Sequence, residues 1–265
     1  MSPKTPVFIL ASLLMGSVSH AAEPAANTLT PEEKRQGFSL LFDGKATQEW
    51  RGFNRTEMPA AGWKVEEETL TYDPVCSTCE KPGDIVTKRQ FENFELRLDW
   101  KISAKANSGV KYLVNESLVK TGHAGLGFEM QILDNQEHPD AKLGVAGNRT
   151  AGGLYDLIPP SVEASLPVGQ WNQVQLIVNG AHVEHWLNGQ RVVQFERGCQ
   201  MMQALISNSK YKDKPGFGEA AKGHVLLQEH GDKVWFRNIR VRTLAGSNLQ
   251  PKAIQNGRKA RNQRE

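Results

Sequence analysis

Hydrophobic and polar positions alternate with a period of two along most of this chain, the pattern of half-buried β-strands. Residues 94–100 show it most clearly, and residues 174–178 and 236–241 repeat it. The dipeptides Asn179-Gly180 and Asn188-Gly189 each lie between two such runs, and Asn-Gly favours tight hairpin turns. Helical periodicity is nearly absent. The pattern therefore predicts many antiparallel strands in a sandwich or a barrel.

One short helix is predicted at residues 31–36, where Thr30 can cap the first turn and Pro31 suits the first helical position. No internal repeat or linker divides the chain, so residues 22–245 are expected to form a single domain. Its strands are predicted at residues 38–42, 63–72, 84–87, 94–102, 108–114, 128–134, 152–156, 171–179, 182–187, 191–196, 224–229 and 234–242.

The strand predicted at residues 128–134 carries chemistry on one face. Because successive side chains point to opposite faces, Phe128, Met130 and Ile132 can pack inward while Glu129 and Gln131 stand together on the other side. The pattern alone also fits an ordinary solvated outer face.

The first 21 residues have the form of a secretory signal peptide. Lys4 supplies a positive charge, residues 7–18 are mostly apolar, and Ser19-His20-Ala21 has the small-x-small form of a cleavage site. The apolar run is too short to cross a bilayer, and no later segment is long or apolar enough to do so. A periplasmic or extracellular protein is expected.

The formal charge of +3 comes from the C-terminal residues 246–265, which carry five basic residues and one acidic residue. This segment is expected to be a disordered basic tail. The remaining chain is close to neutral, so its charge does not indicate nucleic-acid binding.

The three cysteines are an odd number. Cys76 and Cys79 form a single Cys-x-x-Cys pair without further ligands for zinc, so a disulfide that closes a small loop is expected between them. Cys199 is left as a buried or partly buried thiol.

A series of short motifs follows in a fixed order along the chain. The first half contains Leu41-Phe42-Asp43-Gly44-Lys45, Trp50, Gly83-Asp84-Ile85-Val86-Thr87, residues 94–101 and Asn107-Ser108-Gly109-Val110. The second half contains residues 129–134, Gly153-Leu154-Tyr155, Gly169-Gln170-Trp171-Asn172, residues 185–189, 227–231 and 236–239. Over residues 38–244 this series resembles the DUF1080 family, the 3-keto-disaccharide hydrolase domain.

The resemblance implies an all-β fold, a concanavalin A-like jelly-roll sandwich of two curved antiparallel sheets that binds sugars on its concave face. It also implies action on sugars oxidised at C3. The C3 carbonyl makes the C2 proton acidic, so a base can remove that proton, the C1 substituent can leave, and water can add back. This route needs a base, an electrophile for the carbonyl oxygen and a proton donor.

The candidate residues for these roles lie in the family-like motifs. Strand alternation places Glu129 with Gln131, and Gln228 with His230, while Asn107 and Lys111 also project together. The candidate catalytic residues are Glu129, His230, Lys111 and Tyr155, and the candidate substrate-binding residues are Gln131, Gln228, Asn107, His185 and Trp186.

Each assignment has a structural alternative. Glu129 could form an ion pair with Lys111, His185 could be a core histidine, and Trp186 could be a core tryptophan. The loop at residues 134–140 is rich in oxygen ligands, so Asp134 and His138 are weak candidates for binding a divalent cation, although no cofactor is firmly implied.

The sequence therefore predicts a secreted or periplasmic enzyme whose partner is a carbohydrate substrate, most specifically a 3-keto-glycoside. Two alternatives remain. One is a conventional glycoside hydrolase with Glu129 as one of two carboxyl groups. The other is a non-catalytic carbohydrate-binding module, because the same fold serves both classes.

Overall fold

The computed structural model describes residues 25–74, 82–119 and 125–246, and thirteen β-strands dominate this part of the chain. Two short α-helices accompany them, α1 at Pro31–Arg35 and α2 at Gln200–Ser207. The strands are β1 Ser39–Leu40, β2 Trp50–Gly52, β3 Trp63–Glu66, β4 Thr69–Tyr72, β5 Ile85–Thr87, β6 Phe94–Ile102, β7 Asn107–Val114, β8 Phe128–Leu133, β9 Asn172–Asn179, β10 His182–Leu187, β11 Gln190–Glu196, β12 His224–Leu227 and β13 Val234–Thr243.

The strands form two antiparallel sheets. The larger sheet has eight strands in the order β11-β10-β9-β6-β13-β4-β3, and β1 also pairs with β13. The smaller sheet has five strands in the order β2-β5-β12-β7-β8. The predicted all-β jelly-roll sandwich is confirmed.

The main apolar core lies between the two sheets, because alternate side chains of each strand point inward. Phe128, Met130 and Ile132 of β8 are buried in this core, as the alternation predicts. Glu129 and Gln131 therefore lie on the outer face of the five-stranded sheet.

A β-bulge in β7 changes which side chains reach this outer face. Leu113 has a positive φ of 52°, and the register between β7 and β12 shifts at this point. Lys111 and Val114 are three residues apart, and the bulge lets both point away from the main core. Val114 packs instead with Val86 and Leu226 in a small apolar cluster.

Turn chemistry accounts for the hairpins. Asn179-Gly180 connects β9 to β10, and Asn188-Gly189 connects β10 to β11, as predicted. Asn188 and Gly189 have φ values of 50° and 78°, the left-handed values that such a turn requires. The predicted strand at residues 63–72 is itself a hairpin, formed by β3 and β4.

Helix α1 begins as predicted. Thr30 Oγ1 accepts the N–H of Glu33, and the Glu33 carboxylate accepts the N–H of Thr30, which completes a capping box. Arg240 of β13 donates to Glu33 at 2.6 Å, so the helix is held against the larger sheet.

Three elements differ from the predictions, and one of them is β2 at Trp50–Gly52, which the pattern did not predict. Residues 152–156 form tight turns in which Leu154 alone makes β-bridges, one to Met130 and one to Ile158, because Gly152 and Asp156 both have positive φ. Helix α2 was not predicted. Met202 is the only residue of this helix that is fully buried, so the helix shows little of the apolar periodicity that indicates a helix in a sequence.

Three predictions fall outside the described residues: the signal peptide, the Cys76–Cys79 disulfide and nearly all of the basic tail. Cys199 is a free, half-buried thiol whose Sγ accepts the N–H of Met202 at the start of α2. No helix within residues 25–74, 82–119 or 125–246 is long and apolar enough to cross a membrane.

His185 in β10 is fully buried in the core with a partner for each ring nitrogen. Its Nε2 lies 2.9 Å from the Tyr112 hydroxyl, and its Nδ1 lies 3.1 Å from the carbonyl oxygen of Gly152. A neutral ring that donates from Nδ1 and accepts at Nε2 satisfies both contacts. Burial lowers the pKa of His185 to about 4, so the ring stays neutral near pH 7.

We expect His185 to make the stability of the fold depend on pH. Its imidazole titrates near 6.5 in the unfolded chain and near 4 in the folded protein. The unfolded state therefore binds more protons between these values, and the free energy of unfolding falls as the pH is lowered through this window, by about 3 kcal/mol at pH 4. Urea unfolding curves at several pH values measure this loss.

His185→Gln should flatten that dependence. The matched control is His182→Gln, because Glu184 and Glu196 raise the pKa of His182 and move its titration above the same window. An unchanged slope in His185→Gln would contradict the assignment of a neutral buried ring.

Candidate active site

Polar side chains on the outer face of the five-stranded sheet surround a glycine. The register places Lys111 of β7 opposite Glu129 of β8, and Gly109 opposite Gln131. A Cβ at position 109 would lie 2.3 Å from Glu129 Oε1. The Glu129 carboxylate therefore leans over the backbone of Gly109, into space that any other residue would fill.

The Lys111 ammonium lies between two carboxylates. Its Nζ is 3.9 Å from Asp84 Oδ2 and 3.9 Å from Glu129 Oε2, and it donates to the carbonyl oxygen of Gly125 at 3.1 Å. In the amide orientation that satisfies both neighbours, Gln228 accepts from Lys111 Nζ at 3.1 Å and donates to Glu129 Oε1 at 3.3 Å. All three charged side chains are buried, so one cation compensates two carboxylates in a poorly solvated site.

Asp84 is a site residue that the sequence prediction missed. Its two carboxylate oxygens accept the N–H groups of Glu229 at 2.9 Å and Gly125 at 3.0 Å. Burial raises the pKa of Asp84 to about 6, against the lowering effects of Lys111 and the two N–H donors. A signal was present in the sequence, because the alternation of residues 84–87 places Asp84 on the face opposite to Ile85.

A cavity of about 580 Å³ opens above Lys111 and Glu129. This volume is within the range of about 300–1,000 Å³ that small-molecule sites usually have. Its other lining residues come from the segments around β8 and after α2, and they are Leu118, Val119, Gly125, Leu126, Gly127, Lys210, Tyr211, Lys214 and Pro215.

Lys210 in the cavity wall was also missed, because it follows a helix that the sequence pattern did not predict. Its Nζ lies 3.9 Å from the centre of the Tyr155 ring. Much of the side chain is accessible, yet desolvation lowers the pKa of Lys210; Glu129 opposes this effect and Lys111 adds to it. The site thus holds a lysine that releases its proton more readily than an ordinary lysine.

Tyr155 supports this wall. Its hydroxyl donates to Asp140 Oδ2 at 2.7 Å, and Asp140 also accepts from Arg149 at 2.9 Å. Burial raises the pKa of Tyr155 above its ordinary value, and the Asp140 hydrogen bond adds to this, so the phenol stays protonated. The ring lies beneath Lys210 and is not placed to act as a base.

Gln131, opposite Gly109, and Asn107, two residues before Gly109 on β7, continue the same face, and both are buried. Gln131 Nε2 donates to Asn107 Oδ1 at 3.3 Å. Gln131 Oε1 accepts no hydrogen bond from the residues that the structure describes. A buried acceptor without a partner costs about 1–3 kcal/mol, so Gln131 can gain from a donor on a ligand.

His230 lies at the rim of this face and not beside Glu129. It is two residues beyond Gln228, it is exposed, and its ring centre is 6.3 Å from that of His138. The structure thus brings Glu129, Lys111 and Gln228 together and leaves His230 at the edge.

Two substrate-binding assignments need correction. His185 lies in the core against Tyr112, so it cannot reach the cavity. Trp186 is on the outward side of the eight-stranded sheet, because it alternates along β10 with the core residues His185 and Leu187. Its Nε1 donates to Glu184 at 2.7 Å.

The assignment of Asp134 as a metal ligand also needs correction. Its Oδ1 accepts the N–H groups of Gln136 and Glu137, and its Oδ2 accepts the N–H of Lys105. Asp134 therefore stabilises the loop that follows β8. His138 of the same loop points towards His230.

Comparison with known proteins identifies the family. The model of the 3-keto-alpha-glucoside-1,2-lyase-like domain matches residues 37–242. The chain belongs to this family. A relative from Bacteroides thetaiotaomicron, named a 3-keto-disaccharide hydrolase, is 35% identical over 229 residues, which cover 78% of this chain and 79% of the relative.

Two solved structures from Parabacteroides distasonis, both provisionally described as glycosyl hydrolases, resemble this member of the family. The first is 32% identical, with a TM-score of 0.74, over 83% of this chain and 100% of that one. The second is 22% identical, with a TM-score of 0.57, over 78% of this chain and 99% of that one, and it shows the shared fold. The resemblance predicted from the ordered motifs is confirmed.

Gly109→Ala should disable the site without unfolding the domain. The added Cβ meets the end of the flexible Glu129 side chain, which can swing aside while the sheet is retained. A displacement of about 1 Å in a catalytic group can cost about 100-fold in rate, and we expect a loss of at least this size. Turnover and thermal unfolding measure the two effects.

Val110→Ala is the matched control, since Val110 points into the core from the next position of the same strand. It should lower stability while leaving turnover largely intact. Full activity in Gly109→Ala would show that the position of the Glu129 carboxylate over Gly109 has no catalytic role.

Proposed function

We propose that this protein is a carbohydrate-active enzyme that cleaves the glycosidic bond of 3-keto-glycosides by C2 proton abstraction, elimination and rehydration. The observation that carries the proposal is the buried Glu129–Lys111 pair on the floor of a cavity of about 580 Å³. The family model described as a 1,2-lyase-like domain and the relative named a 3-keto-disaccharide hydrolase support the same chemistry.

Glu129 is the proposed base. Its carboxylate faces the cavity, and it occupies the space that a side chain at position 109 would fill. The carboxylate takes the C2 proton, and the electron pair of the C2–H bond forms an enediolate with the C3 oxygen. Gln228 donates a hydrogen bond to Glu129 Oε1, so the orientation of the carboxylate is fixed before substrate binds.

Lys111 is the proposed electrostatic partner of the enediolate. Its ammonium is held by Asp84 and by the carbonyl oxygen of Gly125, so it stays in place as negative charge develops. A fixed charge in a poorly solvated site stabilises such an intermediate more strongly than the same charge in water. Asp84 positions Lys111 and does not need to touch the substrate.

Lys210 is the proposed proton donor to the departing oxygen. When the C3 carbonyl reforms, the C1–C2 double bond forms, the C1–O bond breaks, and Lys210 protonates the leaving oxygen. Water then adds to C1, C2 recovers a proton from Glu129, and Lys210 accepts the proton of the water. The net reaction is hydrolysis without any change of oxidation state.

The structure favours this route over the two alternatives. A conventional glycoside hydrolase needs a second carboxyl group that can reach the anomeric carbon, whereas both oxygens of Asp84 already accept backbone N–H groups. A binding module does not require a buried lysine between two carboxylates or a cavity-wall lysine with a lowered pKa.

A periplasmic or extracellular place of action is part of the proposal, and the signal-peptide pattern of residues 1–21 supports it. Cell fractionation together with N-terminal sequencing of the mature protein tests it.

Glu129→Gln should reduce turnover of a 3-keto-disaccharide about 10²–10⁴-fold, the range expected when general acid–base catalysis is lost. The amide keeps the shape of the side chain and its contact with Gln228, so substrate binding should change far less. Activity assays and calorimetric titration separate the two effects, and near-normal turnover would remove Glu129 from the mechanism.

The same assay run in deuterated water should place deuterium at C2 of the released 3-keto sugar, because C2 recovers its hydrogen from a group that exchanges with solvent. Direct hydrolysis at C1 leaves C2 unlabelled. Mass spectrometry and NMR of the product decide between the two routes, and an unlabelled product would refute elimination.

Lys210→Met should slow the cleavage of a 3-keto-disaccharide more than that of a 3-keto nitrophenyl glycoside, since nitrophenolate departs without protonation. We expect about 10²-fold or more for the first substrate and less than about 10-fold for the second. Lys214→Met is the matched control, because Lys214 lines the same cavity. Equal losses on both substrates in Lys210→Met would exclude its role as the acid.

A further inference from the structure

Three side chains that can ligate a metal meet at the rim of the outer face, apart from the catalytic groups described above. His138 comes from the loop after β8, while His230 and Asp232 come from the connection between β12 and β13. One ligand atom from each residue lies within 4.8 Å of the other two. Among the described residues, no hydrogen bond engages either ring nitrogen of His230.

We propose that His138, His230 and Asp232 bind a divalent transition-metal ion at the rim of the active-site face. Two imidazoles and one carboxylate suit ions such as Zn²⁺, Mn²⁺, Fe²⁺ or Co²⁺, and a set of three protein ligands leaves coordination positions open for oxygen ligands. None of the three residues is fully buried, so an ion can enter from solvent.

Asp232 is already oriented by a neighbour in the active site. Its Oδ2 accepts the N–H of Asn107 at 3.0 Å, and the Asn107 side chain accepts from Gln131. An outer hydrogen bond of this kind holds a metal-binding carboxylate in place. Metal–ligand bonds of about 2.0–2.2 Å require the three ligand atoms to move closer together, and the exposed His230 can supply that movement.

His138 must exchange one hydrogen bond for the metal. In the structure its Nδ1 accepts the N–H of Asp140 at 3.1 Å, which places the proton of a neutral ring on Nε2. Binding through Nδ1 replaces this contact directly, while binding through Nε2 requires the proton to move to Nδ1. Either change costs a single hydrogen bond at the end of a short 3₁₀ turn, Pro139–Lys142.

The position of the site suggests a role for the ion, and this part rests on the proposed function. Gln228 lies beside Gly109. Asn107 is two residues before Gly109, and His230 is two residues after Gln228, so the proposed metal site lies about 7 Å along the strands from Gly109. A sugar ring above Gly109 can therefore place an oxygen on the open side of the ion. The metal would hold substrate oxygens at one end of the site while Glu129 removes the proton at the other.

Metal binding is tested without substrate. The untagged mature protein is freed of metal by dialysis against a chelator and titrated calorimetrically with ZnCl₂, MnCl₂ and CoCl₂. One ion should bind per chain, and His230→Ala and Asp232→Ala should each weaken binding at least 100-fold. His182→Ala is the matched control, because His182 also lies between two carboxylates but on a different sheet.

Retention of the metal in His230→Ala, or its loss in His182→Ala, would overturn the proposed site. Absence of stoichiometric binding for all three ions would do the same. The absorption spectrum of the Co²⁺ protein reports the ligand set, and wild-type and Asp232→Ala proteins should differ in the visible bands.

The catalytic role is tested on a 3-keto-disaccharide. If the ion binds substrate oxygens, its removal should raise KM at least 10-fold, and added metal should restore it in wild-type protein but not in His230→Ala. Stoichiometric binding with an unchanged KM would reject the substrate contact while leaving the site itself intact. Absence of turnover in both metal-free and metal-loaded wild-type protein would instead count against the proposed function.

Discussion

The active site on the outer face of the five-stranded sheet depends on one buried cation that is shared by two buried carboxylates. Lys111 lies 3.9 Å from both Asp84 and Glu129, and it is the closest positive charge to either of them in the described structure. Buried charges are expensive unless they are paired and hydrogen-bonded, so removal of the lysine would leave two carboxylates poorly compensated. The backbone groups of Gly125 help here, because its N–H binds Asp84 and its carbonyl oxygen binds Lys111.

Several features of the fold follow from the need to place this group of charges. The bulge at Leu113 lets β7 present Lys111 to the outer face and still return Val114 to an apolar cluster. Gly109 leaves room for the Glu129 carboxylate. Loops then cover the sheet, so that β7 and β8 are buried on both faces and the charges lie in a cavity instead of in open water.

Strand alternation predicted the part of the site that comes from regular strands. It placed Glu129 and Gln131 on one face of β8 and Phe128 and Met130 on the other, and it placed Lys111 and Asn107 on the same face of β7. This succeeds because a period of two fixes the face of every side chain in an unbroken strand. The same pattern, together with the Asn-Gly turns, predicted antiparallel sheets in a sandwich or a barrel, and the resemblance of the ordered motifs to the family implied the sandwich.

The sequence pattern failed where a residue's role depends on contacts between distant segments. Lys210 reaches the cavity from an irregular segment after α2, and no local periodicity indicates which sheet that segment covers. His185 and Trp186 are both predicted to bind substrate, although both lie on β10 of the larger sheet and the face that carries Glu129 belongs to the smaller sheet. Strand alternation predicts that two neighbouring residues face opposite sides of a sheet, but it does not predict which sheet the strand joins.

The most direct test of this account is a double-mutant cycle on Lys111 and Glu129, with turnover of a 3-keto-disaccharide as the measurement and circular dichroism as the check on folding. Groups that act as one unit are strongly non-additive, because loss of either removes most of the benefit of the other. The account predicts that the double variant Lys111→Met, Glu129→Gln is about as slow as the slower single variant. A double variant whose loss in rate equals the product of the two single losses would show that the residues act independently and would contradict the account.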